Sequence, residues 1–304
     1  MSSRLLRFAD WTKPVAPVVR EVISAQPDPE LPGAVLWGTW LTGGGSQGTG
    51  LEGSWLSSAG LRGAGSVRPP VLFVPGLGHG AWAFAEHWLG HTASRGFAAH
   101  AMSLRGHGGS GGTPRAGLRA YTHEVVQVAA ALPRQCVLVG HGAGALVVSR
   151  VLARYPARAA VLLSPVVDGW SGLGSALWTN PLGTVPAVFG GRLRLSRRQL
   201  FSRDLPAEQA NAYRARLVGA GAVAQWQLLA HRTPPAPVGD PPVLVAGSPD
   251  DAVVSRSSLD RTAARYGAAP LLFPGMGHDL MLDQRRQEPI DAILDWLVRE
   301  LKIG

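Results

Sequence analysis

One stretch, Cys136–Val148, constrains this chain more than any other. An apolar run of strand length, Cys136-Val137-Leu138-Val139, meets the glycine-dense Gly140-His141-Gly142-Ala143-Gly144. Small and apolar residues of helical type then continue to about Arg154. The pattern predicts a strand, a sharp turn and a helix. Gly140 and Gly144 suit a turn in which helix and strand approach too closely for side chains. The same residues fit a loose dinucleotide fingerprint, Gly140-x-Gly142-x-x-Ala145. That reading needs an acidic residue about 20 positions on, at the end of the next strand. Leu162-Leu163-Ser164-Pro165 stands there instead, so no dinucleotide is expected.

The rest of the chain alternates around this unit. Val71–Val74 predicts a short strand that runs into Pro75–Trp82, with a helix following through His87 and Trp88. Ala98–Leu104 predicts a strand ending in Arg105-Gly106-His107-Gly108-Gly109-Ser110, and a helix near 121–132 leads back to the central strand. Strands at Ala160–Ser164, Val243–Gly247 and Leu271–Phe273, with helices near 256–266 and 288–301, complete the rhythm. Alternation of this kind argues for an α/β fold, a mostly parallel sheet with helices on both faces. Residues 1–32 read as irregular, and 34–41 as an early edge strand. Residues 43–68 are dominated by Gly and Ser and read as a long loop. Residues 1–69 are thus expected to form an N-terminal lead and 70–304 the main domain. A block at about 166–240 interrupts the alternation with helix-like segments near 206–218 and 222–231. It is expected to cap the sheet, and its Trp170, Trp178, Phe189 and Trp226 are candidates to line an apolar pocket or to pack the cap.

Composition excludes some function classes. With 46% hydrophobic and only 16% charged residues, the chain can build a sizeable core. Its net charge of +9 is spread along the sequence, and Lys13 and Lys302 are its only lysines, so no basic block points to nucleic acid. Cys136 is the one cysteine and begins a buried strand, so it reads as a core residue. No apolar run reaches the length of a membrane span or a signal peptide, and a soluble cytoplasmic protein is expected.

Three further motifs carry a family resemblance. Gly76-Leu77-Gly78-His79-Gly80-Ala81-Trp82, Leu104–Ser110 and Phe273-Pro274-Gly275-Met276-Gly277-His278 occur in the order seen in bacterial esterase/lysophospholipase-like serine hydrolases. Together with the Cys136 unit, which resembles a nucleophile elbow G-x-S-x-G, they liken about 70–304 to the α/β-hydrolase fold. One position departs from the pattern: Gly142 stands where the family has its serine. The resemblance implies a general-base role for His278 and a partner carboxylate in the loop Gly247-Ser248-Pro249-Asp250. Asp250 is the expected partner and the adjacent Asp251 the alternative. The N–H groups of Leu77 and Ala143 match the oxyanion-hole positions. The family usually has His-Gly where this chain has Pro75-Gly76, which leaves the Leu77 N–H available but alters the support of that loop. His79, His107 and His141 read as loop or supporting residues, and Ser110 and Ser164 are nearby hydroxyls in other motif positions.

The resemblance implies hydrolysis of a carboxylic ester or similar acyl compound, with no metal or organic cofactor and a small, hydrophobic or acyl-containing ligand. A glycine at 142 cannot form an acyl-enzyme. Three readings stay open: a serine hydrolase lacking its nucleophile; an acid–base enzyme such as a lyase, isomerase or cyclase that uses His278 and Asp250; and a catalytically silent ligand-binding module.

Overall fold

A computed structural model describes residues 19–29, 31, 33–42, 68–112, 116–166, 185, 194–219, 222–230 and 233–303. Its strands are β1 (Arg20–Pro27), β2 (Val35–Thr42), β3 (Val71–Val74), β4 (Ala99–Met102), β5 (Val137–His141), β6 (Ala159–Leu163), β7 (Val243–Gly247) and β8 (Leu271–Leu272). Its helices are α1 (Trp82–Ala85), α2 (Trp88–Ser94), α3 (Leu118–Ala131), α4 (Ala143–Leu152), α5 (Arg197–Leu200), α6 (Ala207–Ala215), α7 (Ala222–Leu229), α8 (Arg256–Ala264) and α9 (Gln287–Leu301).

The strands form one sheet in the order β2-β1-β4-β3-β5-β6-β7-β8. The six strands from β4 to β8 in that order are parallel, while β1 pairs antiparallel with both β2 and β4. The period of two in each strand splits the core. Val71, Phe73, Val137, Val139, Val161 and Leu163 face one side and pack with α1, α2 and α9 through Phe84, Trp88, Leu89, Ile293 and Leu297. Leu72, Val74, Leu138, Ala160 and Leu162 face the other and pack with α3, α4 and α8 through Tyr121, Val125, Leu146, Val148 and Leu259. Burial on both faces is why these strands read as unbroken apolar runs.

The edge strand expected at 34–41 is β2, but the expectation that 1–32 is irregular is overturned by β1. The segment Arg-Glu-Val-Ile-Ser-Ala-Gln-Pro is half polar because several of its polar side chains are held by the neighbouring structure. Ser24 lies directly opposite His100 of β4, and its Oγ is 2.7 Å from His100 Nδ1. Glu21 accepts hydrogen bonds from Ser103 Oγ at 2.5 Å and Gly109 N–H at 2.9 Å, and so braces the loop after β4. That loop is also pinned to α3 by the buried pair Arg105–Glu124.

The join between β5 and α4 leaves no room for side chains. A Cβ on Gly140 would lie 2.6 Å from Gly144 O and 2.7 Å from Ala145 Cα. One on Gly144 would lie 2.5 Å from the carbonyl oxygens of both Val74 and Pro75. The start of α4 therefore rests directly on the end of β3. Because β4 and β5 lie on opposite sides of β3, the chain reverses its direction of travel across the sheet at this point. Crevices at such switch points, beyond the carboxyl ends of the strands, are where open α/β sheets bind ligands.

Two predictions follow from this packing. Gly144→Ala must displace backbone, so it should destabilise the protein more than a glycine-to-alanine change on an open surface, as read by urea unfolding; an equal cost would contradict the close approach. The second concerns buried imidazoles. Burial lowers the pKa of His100 from 6.5 to about 4, so the folded state resists a proton that the unfolded chain takes up. Stability from this residue is complete above about pH 6.5 and is lost as the pH falls towards 4. A His100→Gln variant should show a shallower loss between pH 6 and 5, by up to about 1.4 kcal/mol per pH unit. An unchanged slope in urea titrations would contradict this.

Candidate active site

The crevice is built from the turns that follow β3, β5, β7 and β8. Gly142 begins α4 with φ +54° and ψ −119°, a backbone conformation open to glycine and strained for other residues. Its N–H donates to Leu163 O at 2.9 Å and its carbonyl accepts from Val166 N–H at 3.1 Å, so the turn is tied to the end of β6. A Cβ on Gly142 would lie 3.1 Å from His278 Nε2 and 3.9 Å from Gly76 Cα. The turn, the imidazole and the loop after β3 thus meet around one point.

His278 is 4% exposed and sits in the loop between β8 and α9. Its Nδ1 lies 2.8 Å from Asp251 Oδ2. The other oxygen of Asp251 accepts the N–H groups of Val253 at 2.7 Å and Val254 at 3.0 Å. This corrects the expected pairing: Asp250 is exposed, and its Oδ2 accepts the Gly275 N–H at 2.7 Å instead. Asp250 and Asp251 are adjacent but differ in burial, so an error of one position exchanges the buried carboxylate for the solvated one. Burial opposes protonation of His278, but the charge and hydrogen bond of Asp251, with the charge of Asp279, outweigh it and raise its pKa.

A second buried carboxylate, Asp279, was not anticipated. It is fully buried and accepts a hydrogen bond from His79 Nε2 at 3.0 Å. Its other oxygen lies 3.5 Å from His141 Nε2, which in turn is 3.1 Å from the His278 carbonyl. Burial lowers the His141 pKa to about 3, and with the proton on Nε2 the ring donates to that carbonyl. Burial alone would raise the pKa of Asp279, yet His79, His141 and His278 together hold it below the usual carboxylate value. One donor atom from each of His79, His141 and Asp279 lies within 4.8 Å of the others, a spacing that a metal ion would accept. The hydrogen bonds just described already join these groups to one another. The sequence signal for Asp279 was a charged residue directly after His278 in the otherwise apolar run Met276–Leu282.

The remaining expected residues fall as follows. Leu77 and Ala143 flank the crevice, and neither backbone N–H donates to any described residue. Trp226 lies half-buried on α7, while Trp170, Trp178 and Phe189 lie outside the described residues. Ser110 Oγ donates to Ser103 O at 2.6 Å and accepts from Glu21 N–H, a bracing role. Ser164 is buried just beyond β6 with φ +40°, and its Oγ has no described partner. His107 is buried beneath its loop, with Nδ1 3.1 Å from Arg105 O. The segment between β6 and β7 reaches the crevice through Val218, whose N–H donates to Gly78 O at 2.9 Å. Arg216 stacks 4.1 Å above the Trp82 ring, and Trp82 in turn stacks on His79. Among the described residues no helix is long and apolar enough to cross a membrane.

Comparisons with known proteins agree with this architecture. The alpha/beta hydrolase family matches residues 71–293. Curated proteins give no significant match. Among solved structures, the chain resembles a monoacylglycerol lipase of Paleococcus ferrophilus, with a TM-score of 0.60 at 22% identity over 76% of this chain and 96% of that one. It also resembles a thermophilic esterase from Thermogutta terrifontis, solved with malate bound, with a TM-score of 0.59 at 18% identity over 77% of this chain and 90% of that one. A soluble variant of the monoglyceride lipase of Saccharomyces cerevisiae, in complex with a substrate analog, gives 0.60 at 14% identity over 78% and 88%. At these identities the likeness is one of fold, with esterases and lipases as structural neighbours. The sheet, the crevice at its switch point and the match over 71–293 together establish that this chain belongs to the alpha/beta hydrolase family.

Proposed function

We propose that this protein is a relative of carboxylic-ester hydrolases in which Gly142 occupies the position of the serine nucleophile, so that acyl-enzyme chemistry is impaired while ligand binding is kept. The observation that carries this reading is the position of Gly142: a side chain there would begin 3.1 Å from His278 Nε2, on the turn that opens α4. In the proposed roles His278 is the base, Asp251 fixes its tautomer and stabilises its protonated form, and the N–H groups of Leu77 and Ala143 receive a developing oxyanion. A hydroxyl on residue 142 would pass its proton to His278 Nε2 and attack the carbonyl. Glycine has no such group, and loss of a triad nucleophile typically leaves only about 10³–10⁴-fold acceleration over water. The segment between β6 and β7 serves as a cap whose aromatic residues, Trp226 among them, contact a small acyl-containing or hydrophobic ligand. No metal or organic cofactor enters this chemistry.

One observation favours a second reading. His278 and Asp251 retain a hydrogen-bonded geometry of 2.8 Å although residue 142 offers nothing to deprotonate. A base held this way suits proton transfer to or from a substrate in a lyase, isomerase or cyclase reaction.

Hydrolysis of p-nitrophenyl acetate and butyrate by the native chain and by Gly142→Ser separates the two. The first reading predicts a gain of at least about 100-fold in kcat/KM for the variant, since a restored nucleophile recovers part of the roughly 10⁶-fold triad contribution. A folded variant with no gain would count against it. In the Gly142→Ser background, Asp251→Asn should lose about 10³–10⁴-fold and Asp250→Asn only a few-fold; the opposite ranking would reject the assignment of the acid. Gly142→Ser should also lower stability by about 1–3 kcal/mol, because a non-glycine residue enters a strained conformation and crowds His278. A midpoint in urea at or above that of the native chain would contradict the strain argument.

A further inference from the structure

The geometry points to a ligand class for this crevice: a free carboxylate, rather than an ester, is what the Gly142 turn is built to hold. This rests on the reading of Leu77 and Ala143 as oxyanion donors and goes beyond it by replacing the substrate with an anion.

The donors are specific. Helix α4 is ten residues long, and its first N–H groups and dipole favour negative charge at Gly142. The Ala143 N–H and the Leu77 N–H donate to no described residue. His278 is more than nine-tenths buried, yet only its Nδ1 is engaged, by Asp251. Its Nε2 has no described partner and is directed at the point 3.1 Å away where a Cβ on residue 142 would lie.

Glycine changes what this set can bind. A serine would fill the space between α4 and His278 with its own hydroxyl oxygen. With glycine, that space can take an oxygen of the ligand. A carboxylate has two oxygens: one suits the backbone N–H pair, and the second suits His278 Nε2–H in the position of the lost hydroxyl. An ester presents one strong acceptor, its carbonyl oxygen, and its alkoxy oxygen accepts poorly and carries no charge. Hydrogen bonds to a charged acceptor are roughly twice as strong as neutral ones.

The charged and titratable neighbours of the ring are consistent with this. Asp251 lies at the far edge, on Nδ1, and Asp279 lies behind with His79 and His141. Both carboxylates favour the protonated ring against the cost of burial, so an anion arriving at Nε2 meets no opposing charge from them there. Neither occupies the Nε2 side.

Calorimetric and thermal-shift titrations at pH 7 with acetate, hexanoate and decanoate, each beside its methyl ester, test the inference. At least one acid should bind and raise Tm, and should bind at least about 10-fold more tightly than its own ester. Gly142→Ser, which refills the space, and His278→Gln, which removes the imidazole, should each weaken that acid by at least about 10-fold. Equal affinity for acid and ester, binding that survives both substitutions, or no binding by any of the three acids would overturn the proposal. The esterase assay of Gly142→Ser reports separately on the underlying reading. A gain there without carboxylate binding rejects only this inference, whereas no gain and no binding rejects both.

Discussion

Helix α4 begins where a methyl group does not fit. Gly140 and Gly144 bring its first turn against the backbone ends of β5 and β3, with clearances of 2.5–2.7 Å to an added carbon. Everything in the crevice is referred to that contact. It fixes the positive end of the helix beside the loop after β3, and it sets Gly142 at φ +54° between that loop and His278. The sheet order then brings the turns after β7 and β8 alongside, and they deliver Asp251 and His278 to the same place. Apolar side chains on both faces of the central strands hold this frame between two helical layers.

The polar groups under the crevice form two tiers. Asp251 engages His278 directly, and Asp279 gathers His79 and His141 behind it. Buried charge of this kind is retained only when it is paired, since an isolated buried carboxylate is costly. Here the pairing also runs outward: His79 stacks on Trp82, and Trp82 carries Arg216 from the segment between β6 and β7. The imidazole at the centre is therefore joined through Asp279, His79 and Trp82 to Arg216 of that segment. On the proposed reading, a site that has lost its nucleophile has kept the whole apparatus that orients the base.

Much of this was legible in the sequence. The strand–turn–helix unit at Cys136–Arg154, the three motif loops and the alternation of strands set the fold and brought His278, Gly142, Leu77 and Ala143 into view. The failures have physical causes. β1 was missed because its polar residues, Glu21 and Ser24, are satisfied by partners about 80 positions away, Ser103 and His100, and no local pattern reveals that. Spacing points to Asp250 rather than Asp251 because it locates a turn and not the direction of a side chain within it. Asp279 was overlooked because its partners, His79 and His141, come from two other motifs and meet it only in the folded chain.

The most direct test of the central claim is intact-protein mass spectrometry after exposure to a p-nitrophenyl alkylphosphonate, which labels an activated serine covalently. With Gly142 at the nucleophile position, the native chain should keep its mass and Gly142→Ser should gain a single adduct, mapped to residue 142. An adduct on the native chain at Ser103, Ser110 or Ser164 would show that another hydroxyl serves as nucleophile and would contradict the account.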